Sequence, residues 1–151
     1  MRVVIQRIIS GAKVLVKGQI TGEINKGLFI LLGIEDADDQ LDIEWIVKKV
    51  VNLRIFNDTD DKMNLSVQDI GGSILVVSQF TLYASTKKGN RPSYLRSAKP
   101  EQAEILYNKF IQHIKNNHPI EVQTGIFGAD MKVHLINDGP VTITIDSKNR
   151  E

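Results

Sequence analysis

The sequence predicts an α+β domain in which mainly antiparallel β-sheets curl into a barrel-like shape and carry two principal helices. About seven short segments are rich in β-branched residues and end at Gly, Pro or Asn, which is typical of strands and turns. Two other segments repeat apolar residues at helical spacing. The chain has 151 residues, of which 42% are hydrophobic and 25% are charged. It therefore suits one compact domain spanning residues 1–151.

The first third of the chain predicts strands. Short β-branched runs lie at Arg2–Ile9, Ala12–Lys17 and Gln19–Ile24. Gly11 and Gly18 separate these runs and supply the backbone angles of tight turns. The next run, Gly27–Ile34, is apolar almost throughout, which is the pattern of a strand buried on both faces. We therefore expect a hairpin or meander followed by a central strand.

Two amphipathic helices are predicted further along the chain. The first follows Asp38 and Asp39, which are both candidate N-caps. Its apolar residues recur at helical spacing, at Ile43, Ile46, Val47 and Val50. The second begins at Pro100, because proline is favoured in the first turn of a helix. Its apolar stripe comprises Ala103, Leu106, Tyr107, Phe110, Ile111 and Ile114.

The remaining segments complete the predicted sheets. Ser73–Ala84 is the longest strand signal, with side chains alternating between two faces. The polar residues Asn57–Asn64 before it indicate a loop. Three further strands are expected towards the C-terminus, at Ile120–Phe127, Met131–Ile136 and Val141–Asp146.

Composition and charge exclude several classes of protein. The chain has 19 Lys and Arg against 18 Asp and Glu, a net charge of +1, so any contact with nucleic acid requires a local basic patch. Cysteine is absent and no pair of the three histidines has HExxH spacing, so we expect neither a metal nor another cofactor. No apolar run has the length of a signal peptide or a membrane span. The sequence therefore predicts a cytoplasmic protein without membrane contact.

Polar residues occur within two strand-like segments that are otherwise apolar, Ser78–Tyr83 and Asn137–Thr142. A buried polar group costs free energy unless it is paired. These groups therefore either bond to neighbouring backbone or take part in chemistry. Thr81 could act as a nucleophile, but no His or Lys is adjacent in sequence to serve as its base.

Gly139-Pro140 interrupts the second of these segments, because proline cannot donate to a strand ladder. An ordinary turn with a trans bond is the commoner arrangement. A cis bond would instead project two neighbouring carbonyl oxygens as a rigid pair of acceptors for an ammonium group. From the residues alone, both arrangements stay open.

A basic loop spans Thr86–Pro100. It contains no acidic residue and five cationic ones, Lys87, Lys88, Arg91, Arg96 and Lys99. Such a loop is either simply solvated or binds phosphate groups.

Six blocks of the sequence, in the family's order, resemble the D-aminoacyl-tRNA deacylase family. They are Met1–Arg7, Asn64–Val67, Ser78–Ala84, Thr86–Ser93, Phe127–Met131 and Asn137–Thr142. The third and the last contain the family signatures SQxxL and NxGPxT. The resemblance implies a hydrolase that cleaves the ester joining a D-amino acid to the 3′-terminal adenosine of tRNA, and that also removes glycine.

The resemblance also implies a barrel-like homodimer whose pocket lies at the subunit interface between the two signatures. By match to the signatures, Ser78, Gln79, Phe80, Thr81, Gly139 and Pro140 would line the pocket, and Met131 would also contact the substrate. In the family, the Gly-Pro bond is cis and enters from the partner subunit. Arg7 would brace that bond, and Asn137 and Thr142 would support its motif. The tRNA would be bound by Lys87, Lys88, Arg91 and Arg96.

A mechanism with two parts follows from the resemblance. Backbone amides around Phe80 and Thr81 would polarise the ester carbonyl, while the 2′-hydroxyl of the substrate helps to activate water. Carbonyl groups in the Gly-Pro motif would hold the α-amino group, so that the side chain of an L-amino acid collides with backbone. Two alternatives remain: a Thr81-dependent esterase of small molecules, and a tRNA-binding module without catalysis.

Overall fold

A strongly curved sheet of six strands forms the body of the computed structural model, which describes all residues Met1–Glu151. The whole chain has eight strands, two of which lie outside this sheet: β1 (Arg2–Val16), β2 (Gln19–Ile24), β3 (Gly27–Gly33), β4 (Phe56–Asn57), β5 (Met63–Leu65), β6 (Ser73–Ser78), β7 (Val122–Thr124) and β8 (Lys132–Asp146). The helices are α1 (Gln40–Asn52) and α2 (Pro100–Asn117), and a 3₁₀ turn spans Phe80–Tyr83. The predicted α+β class with a barrel-like sheet and two principal helices is confirmed.

The large sheet is mixed. Its strand order is β2-β1-β3-β6-β7, and β8 pairs with β1. Strand β1 is antiparallel to β2, β3 and β8, whereas β3, β6 and β7 run parallel to one another. The predicted central strand is therefore β3, in the middle of this order. The short strands β4 and β5 form a separate hairpin at the ends of the predicted Asn57–Asn64 loop.

The prediction of a turn at Gly11 is wrong. Gly11, with a φ of 95°, instead bends the single long strand β1. The half before the bend pairs with β3, and the half after it pairs with β2. Strand β8 follows the other edge of β1 along both halves. This change of partners is what curls the sheet into a barrel.

The predicted strand Ser73–Ala84 is also too long, because β6 ends at Ser78. Pairing between β3 and β6 stops at Leu32 and Ser78, because β3 itself ends at Gly33. The chain leaves the sheet at Gln79, with φ −144° and ψ 82°, and forms the 3₁₀ turn. Alternation of apolar residues continues through the turn, so the sequence pattern conceals the end of the strand.

Asp39 is the N-cap of helix α1, which begins at Gln40; the other candidate, Asp38, is not the N-cap. The Asp39 carboxylate accepts from the N–H groups of Leu41 and Asp42, and the Asp42 carboxylate accepts from Asp39 N, which completes a capping box. The Asp38 side chain is instead buried and bonds to the amino group of Met1 and to Glu35 N. Helix α2 begins at Pro100 as predicted.

Two apolar clusters lie on opposite faces of the sheet. The larger cluster packs the sheet against both helices, through residues such as Ile30, Val47 and Phe110. The smaller cluster fills the inside of the curl with Ile8, Ala12, Val14, Ile24, Phe29, Leu75 and Val77. Neither helix is both long enough and apolar enough to cross a membrane.

Replacing Asp42 by asparagine is expected to lower the free energy of unfolding at pH 7 by about 1–3 kcal/mol, because the buried carboxylate also accepts a 2.7 Å hydrogen bond from Lys148. Burial acts to raise the pKa of Asp42, but hydrogen bonds from Lys148 and Ser147 outweigh it and lower this pKa to about 2. The charged carboxylate therefore stabilises the fold above pH ~4, and this contribution is lost as the pH falls towards 2.

Urea unfolding of the wild type and Asp42→Asn between pH 2 and pH 7 measures this effect. The two stabilities should converge as the pH falls. Asp36 is an exposed carboxylate in the preceding loop, so Asp36→Asn serves as the matched control. Equal stability of wild type and Asp42→Asn at pH 7 would contradict the prediction.

Candidate active site

The SQxxL signature forms the junction between β6 and the 3₁₀ turn. Ser78 ends the ladder with β3. Gln79 N donates to Leu32 O over 2.8 Å, which fixes the start of the turn on β3. The Gln79 side-chain amide donates to the hydroxyl of Thr81. Within the turn, Leu82 N donates to Gln79 O over 3.3 Å.

Phe80 and Thr81 present the first two amides of this turn. The first N–H groups of a helical turn have no acceptor inside it, so they are free to face a ligand. The Phe80 side chain is 57% exposed, and its ring meets Tyr94 edge-on with centroids 5.0 Å apart. The turn thus offers backbone donors beside an exposed aromatic surface. No histidine or lysine shares a hydrogen bond with Thr81, whose hydroxyl is bonded to Gln79.

Arg2 contacts two residues of the 3₁₀ turn and stabilises it. Its Nη1 donates to Leu82 O over 3.0 Å, and its guanidinium lies 4.6 Å from the centre of the Tyr83 ring. Asp146 holds Arg2 through a 2.7 Å ion pair. Burial raises the pKa of Tyr83, so this side chain stays neutral. Local sequence patterns do not predict that Arg2 neighbours the turn, because Arg2 and Leu82 are 80 positions apart in the chain.

The NxGPxT signature forms a closed loop within β8. Asn137 Nδ2 donates to Thr142 Oγ1 over 2.7 Å, and Val141 N donates to Asn137 Oδ1 over 3.2 Å. These bonds tie the two ends of the loop together. Gly139 and Pro140 lie exposed at its tip, and the bond between them is cis.

Arg7 is buried beneath this loop. Its Nη2 pairs with Asp138 Oδ2 at 2.7 Å. Its Nη1 donates to Ile55 O over 2.7 Å and to Asn57 Oδ1 over 3.2 Å. The loop is thereby anchored to the segment that follows α1. The sequence does not predict the contacts of Arg7 with Asp138, Ile55 and Asn57, since only folding brings these residues together.

A single chain does not bring the two signatures together. Strands β1 and β3 lie between β8 and β6. The Gly-Pro loop leaves β8 between the two residues that pair with Gln6 and Ile8 of β1. Gln79 follows the end of β6, whose last residue is aligned through β3 with Val3 of β1. These positions on β1 are roughly 10–16 Å apart at ~3.3 Å per residue. No hydrogen bond joins the signatures, so within one chain they form two separate surfaces.

Met131 lies just before β8 and away from both signatures in the chain. Its side chain packs on the smaller apolar cluster and against Gly125, where a side chain would collide with its sulfur. It is partly buried. The structure therefore gives Met131 a packing role, and its contact with the substrate stays a prediction.

The basic loop lies beside the turn. Lys87, Lys88 and Arg91 are exposed and have no ion-pair partner. Arg96 differs, because it lies 3.4 Å from Glu35 and stands over the Tyr83 ring. A backbone pair between Ser85 and Ser93 closes the loop. Lys99 is likewise exposed and unpaired, so four of the five cations of the loop are free and only Arg96 is ion-paired.

Comparison with known proteins decides the family. The model of the family described as D-Tyr-tRNA(Tyr) deacylase matches residues 4–146. The chain belongs to this family. It is thus a hydrolase of the D-aminoacyl-tRNA deacylase class. A protein named D-aminoacyl-tRNA deacylase from Flavobacterium johnsoniae is 60% identical to this chain, over 100% of both chains. Another protein of that name, from Fusobacterium nucleatum, is 57% identical over 99% of this chain and 97% of its own.

Solved structures share the fold of this deacylase. A structure described as a c-Myc DNA unwinding element binding protein is 41% identical, with a TM-score of 0.91 over 97% of this chain and 98% of that one. A second, described as a probable eukaryotic D-amino acid tRNA deacylase, has a TM-score of 0.78 over 96% and 99% of the two chains. At 16% identity, the second likeness concerns the fold alone.

Proposed function

We propose that the protein hydrolyses the ester between a D-amino acid and the 3′-terminal adenosine of tRNA, releasing both, and that it also hydrolyses glycyl-tRNA. The observation that carries this proposal is the family match over residues 4–146, which includes both signatures, each held by hydrogen bonds to other parts of the chain. We expect no cofactor, and we expect the reaction to take place in the cytoplasm, where charged tRNA is used.

We further propose that the active form is a homodimer in which the Gly-Pro loop of one subunit faces the 3₁₀ turn of the other. The separation of the two signatures within one chain supports this arrangement. A small exposed apolar patch beside the Gly-Pro loop supports it too: on the neighbouring strands β1 and β8, Ile9 is 49% exposed and Ile136 62%. Such a patch is typical of a surface that another protein covers.

Selection for the D-configuration is proposed to work by exclusion. The carbonyl oxygens of Gly139 and Pro140 would accept hydrogen bonds from the α-ammonium group and so fix the position of the α-carbon. The side chain of an L-amino acid would then collide with backbone, whereas that of a D-amino acid points outward and glycine has none. Active repulsion can exceed the ~10–200-fold discrimination that one methylene provides in an apolar pocket.

The chemical step is proposed to need no side-chain nucleophile. A water molecule adds to the ester carbonyl carbon, and the backbone N–H groups of Phe80 and Thr81 stabilise the resulting oxyanion. The neighbouring 2′-hydroxyl of the terminal ribose orients this water and relays its proton to the ribose oxygen that leaves. Collapse of the intermediate releases the free amino acid and tRNA with an intact ribose.

The basic loop is proposed to hold the tRNA backbone. Lys87, Lys88 and Arg91 are free to pair with phosphates. Arg96 belongs to the same predicted set, but its pairing with Glu35 offsets part of its charge. We therefore expect a smaller loss of tRNA affinity from Arg96→Ala than from Lys88→Ala.

One assay separates the proposal from its alternatives. Radiolabelled D- and L-aminoacyl-tRNA are incubated with the protein, together with simple esters of D-amino acids. The proposal predicts rapid deacylation of D-aminoacyl-tRNA and of glycyl-tRNA, slow loss of the L-form, and little turnover of the simple esters. Rapid turnover of simple esters would favour the small-molecule esterase. Binding of tRNA without ester cleavage would favour the binding module.

Thr81→Ala is expected to retain most of the activity, with kcat within about threefold of wild type, because the proposed donor at this position is the backbone N–H. The side chain loses only its hydrogen bond with Gln79, which contributes about 1 kcal/mol. Single-turnover deacylation of D-aminoacyl-tRNA measures the rate, and Thr81→Ser, which keeps the hydroxyl, is the matched control. Complete loss of activity in a Thr81→Ala protein that still binds tRNA would instead indicate a threonyl ester intermediate.

A further inference from the structure

Ser97 lies on the basic loop, outside both signatures, yet its hydroxyl contacts the 3₁₀ turn. Ser97 Oγ donates a 2.8 Å hydrogen bond to the carbonyl oxygen of Phe80. This carbonyl belongs to the peptide unit that joins Phe80 to Thr81, and the same plane carries the N–H of Thr81. The hydroxyl therefore contacts one end of a peptide whose other end is a proposed oxyanion donor.

The segment that carries Ser97 is hydrogen-bonded just beyond the end of β3, the strand that also fixes the start of the turn. Ser97 N donates to Tyr94 O over 3.0 Å, and Ala98 N donates to Ile34 O over 2.9 Å. Ile34 follows directly after β3, and Gln79 N bonds to Leu32 O within β3. The end of β3 thus holds both the hydroxyl and the start of the turn in place.

We propose that Ser97 is a positioning residue that sets the plane of the Phe80–Thr81 peptide and strengthens the Thr81 N–H as a donor. This inference rests on the proposed function and extends it to the basic loop. A hydrogen bond at a carbonyl oxygen polarises the peptide unit, and linked bonds strengthen one another. Water can replace the lost hydroxyl at this exposed carbonyl, but it cannot fix the orientation of the peptide.

Three variants of the full-length protein test the role of the hydroxyl in turnover of D-aminoacyl-tRNA. Ser97→Ala removes the donor, Ser97→Cys keeps the shape with a weak donor, and Ser97→Thr keeps the hydroxyl. We expect the first two to lower kcat about three- to tenfold with KM unchanged, which is the range for one lost hydrogen bond. Ser97→Thr should restore kcat. Wild-type kcat in Ser97→Ala, or a rise in KM alone, would overturn the proposal.

The Thr81 amide gives a second readout that does not depend on turnover. In nuclear magnetic resonance spectra of isotope-labelled protein, the amide nitrogen of Thr81 should shift in Ser97→Ala and Ser97→Cys and return in Ser97→Thr. An unchanged resonance in Ser97→Ala would overturn the proposal. If wild-type protein leaves D-aminoacyl-tRNA intact, the proposed function is wrong. The Thr81 resonance still tests the contact with Ser97 in that case.

Discussion

Gly139→Ala is expected to lower kcat/KM for D-aminoacyl-tRNA by more than ~100-fold, because a shift of about 1 Å in a positioning group can cost that much. Gly139 has a φ of 115°, which side chains of L-residues rarely permit. An added Cβ would lie 2.8 Å from Val141 Cγ2 and 3.1 Å from Nη2 of Arg7. The loop must therefore move, and the proposed acceptors for the α-ammonium group move with it.

The fold should survive this substitution, since backbone strain at one exposed residue costs about 1–3 kcal/mol. Gly18→Ala is the matched control: Gly18 also has a positive φ, of 81°, but an added Cβ there meets nothing within 4 Å. Single-turnover deacylation and thermal unfolding measure the two effects separately. A folded Gly139→Ala protein with wild-type activity and wild-type selectivity for D over L would contradict the proposed role of the loop.

Phe80→Pro is expected to lower kcat by about 10²–10³-fold, the usual effect of removing one oxyanion donor. Proline lacks the backbone N–H but suits the first position of a helical turn, which Phe80 occupies. The preceding Gln79, with φ −144° and ψ 82°, is outside the helical region, which is the region that proline disfavours for the residue before it. The substitution therefore removes the donor with little change to the turn.

Phe80→Ala separates the amide from the aromatic ring. It keeps the N–H and loses the contact with Tyr94, so we expect kcat to fall by less than about tenfold, the size of an exposed aromatic pair contribution. Rates measured at saturating D-aminoacyl-tRNA compare the two variants. Equal kcat values for Phe80→Pro and Phe80→Ala would show that the backbone N–H of Phe80 does not stabilise the oxyanion.

Local patterns in the sequence predicted the elements that depend on local physics. Helical spacing and the proline at position 100 located α2, and the unbroken apolar run identified β3 as central. The same reasoning failed at Gln79, because residues after it keep the alternating pattern of a strand although β3 no longer provides a partner. It also failed at Gly11, where a bend within a strand and a turn between strands have the same local signal.

The candidate site was predicted less completely, because its supports are distant in sequence. The signatures identified Gln79, Gly139 and their neighbours, but nothing in the pattern linked Arg7 with Asp138 and Ile55 or Arg2 with Leu82. These contacts depend on the strand order. The prediction for Arg96 treated it like the other cations, since a sequence does not show that Glu35 lies beside it.

A purified heterodimer of Gly139→Ala and Phe80→Pro subunits tests the shared site most directly. The two variants are co-expressed with different affinity tags and purified through both, and deacylation of D-aminoacyl-tRNA is compared with that of each parent homodimer. If each site combines one loop with the partner's turn, one site carries both changes and the other is intact, so about half of the wild-type activity returns. Activity no higher than that of the parent homodimers would show that each chain builds its own site, and would contradict the account.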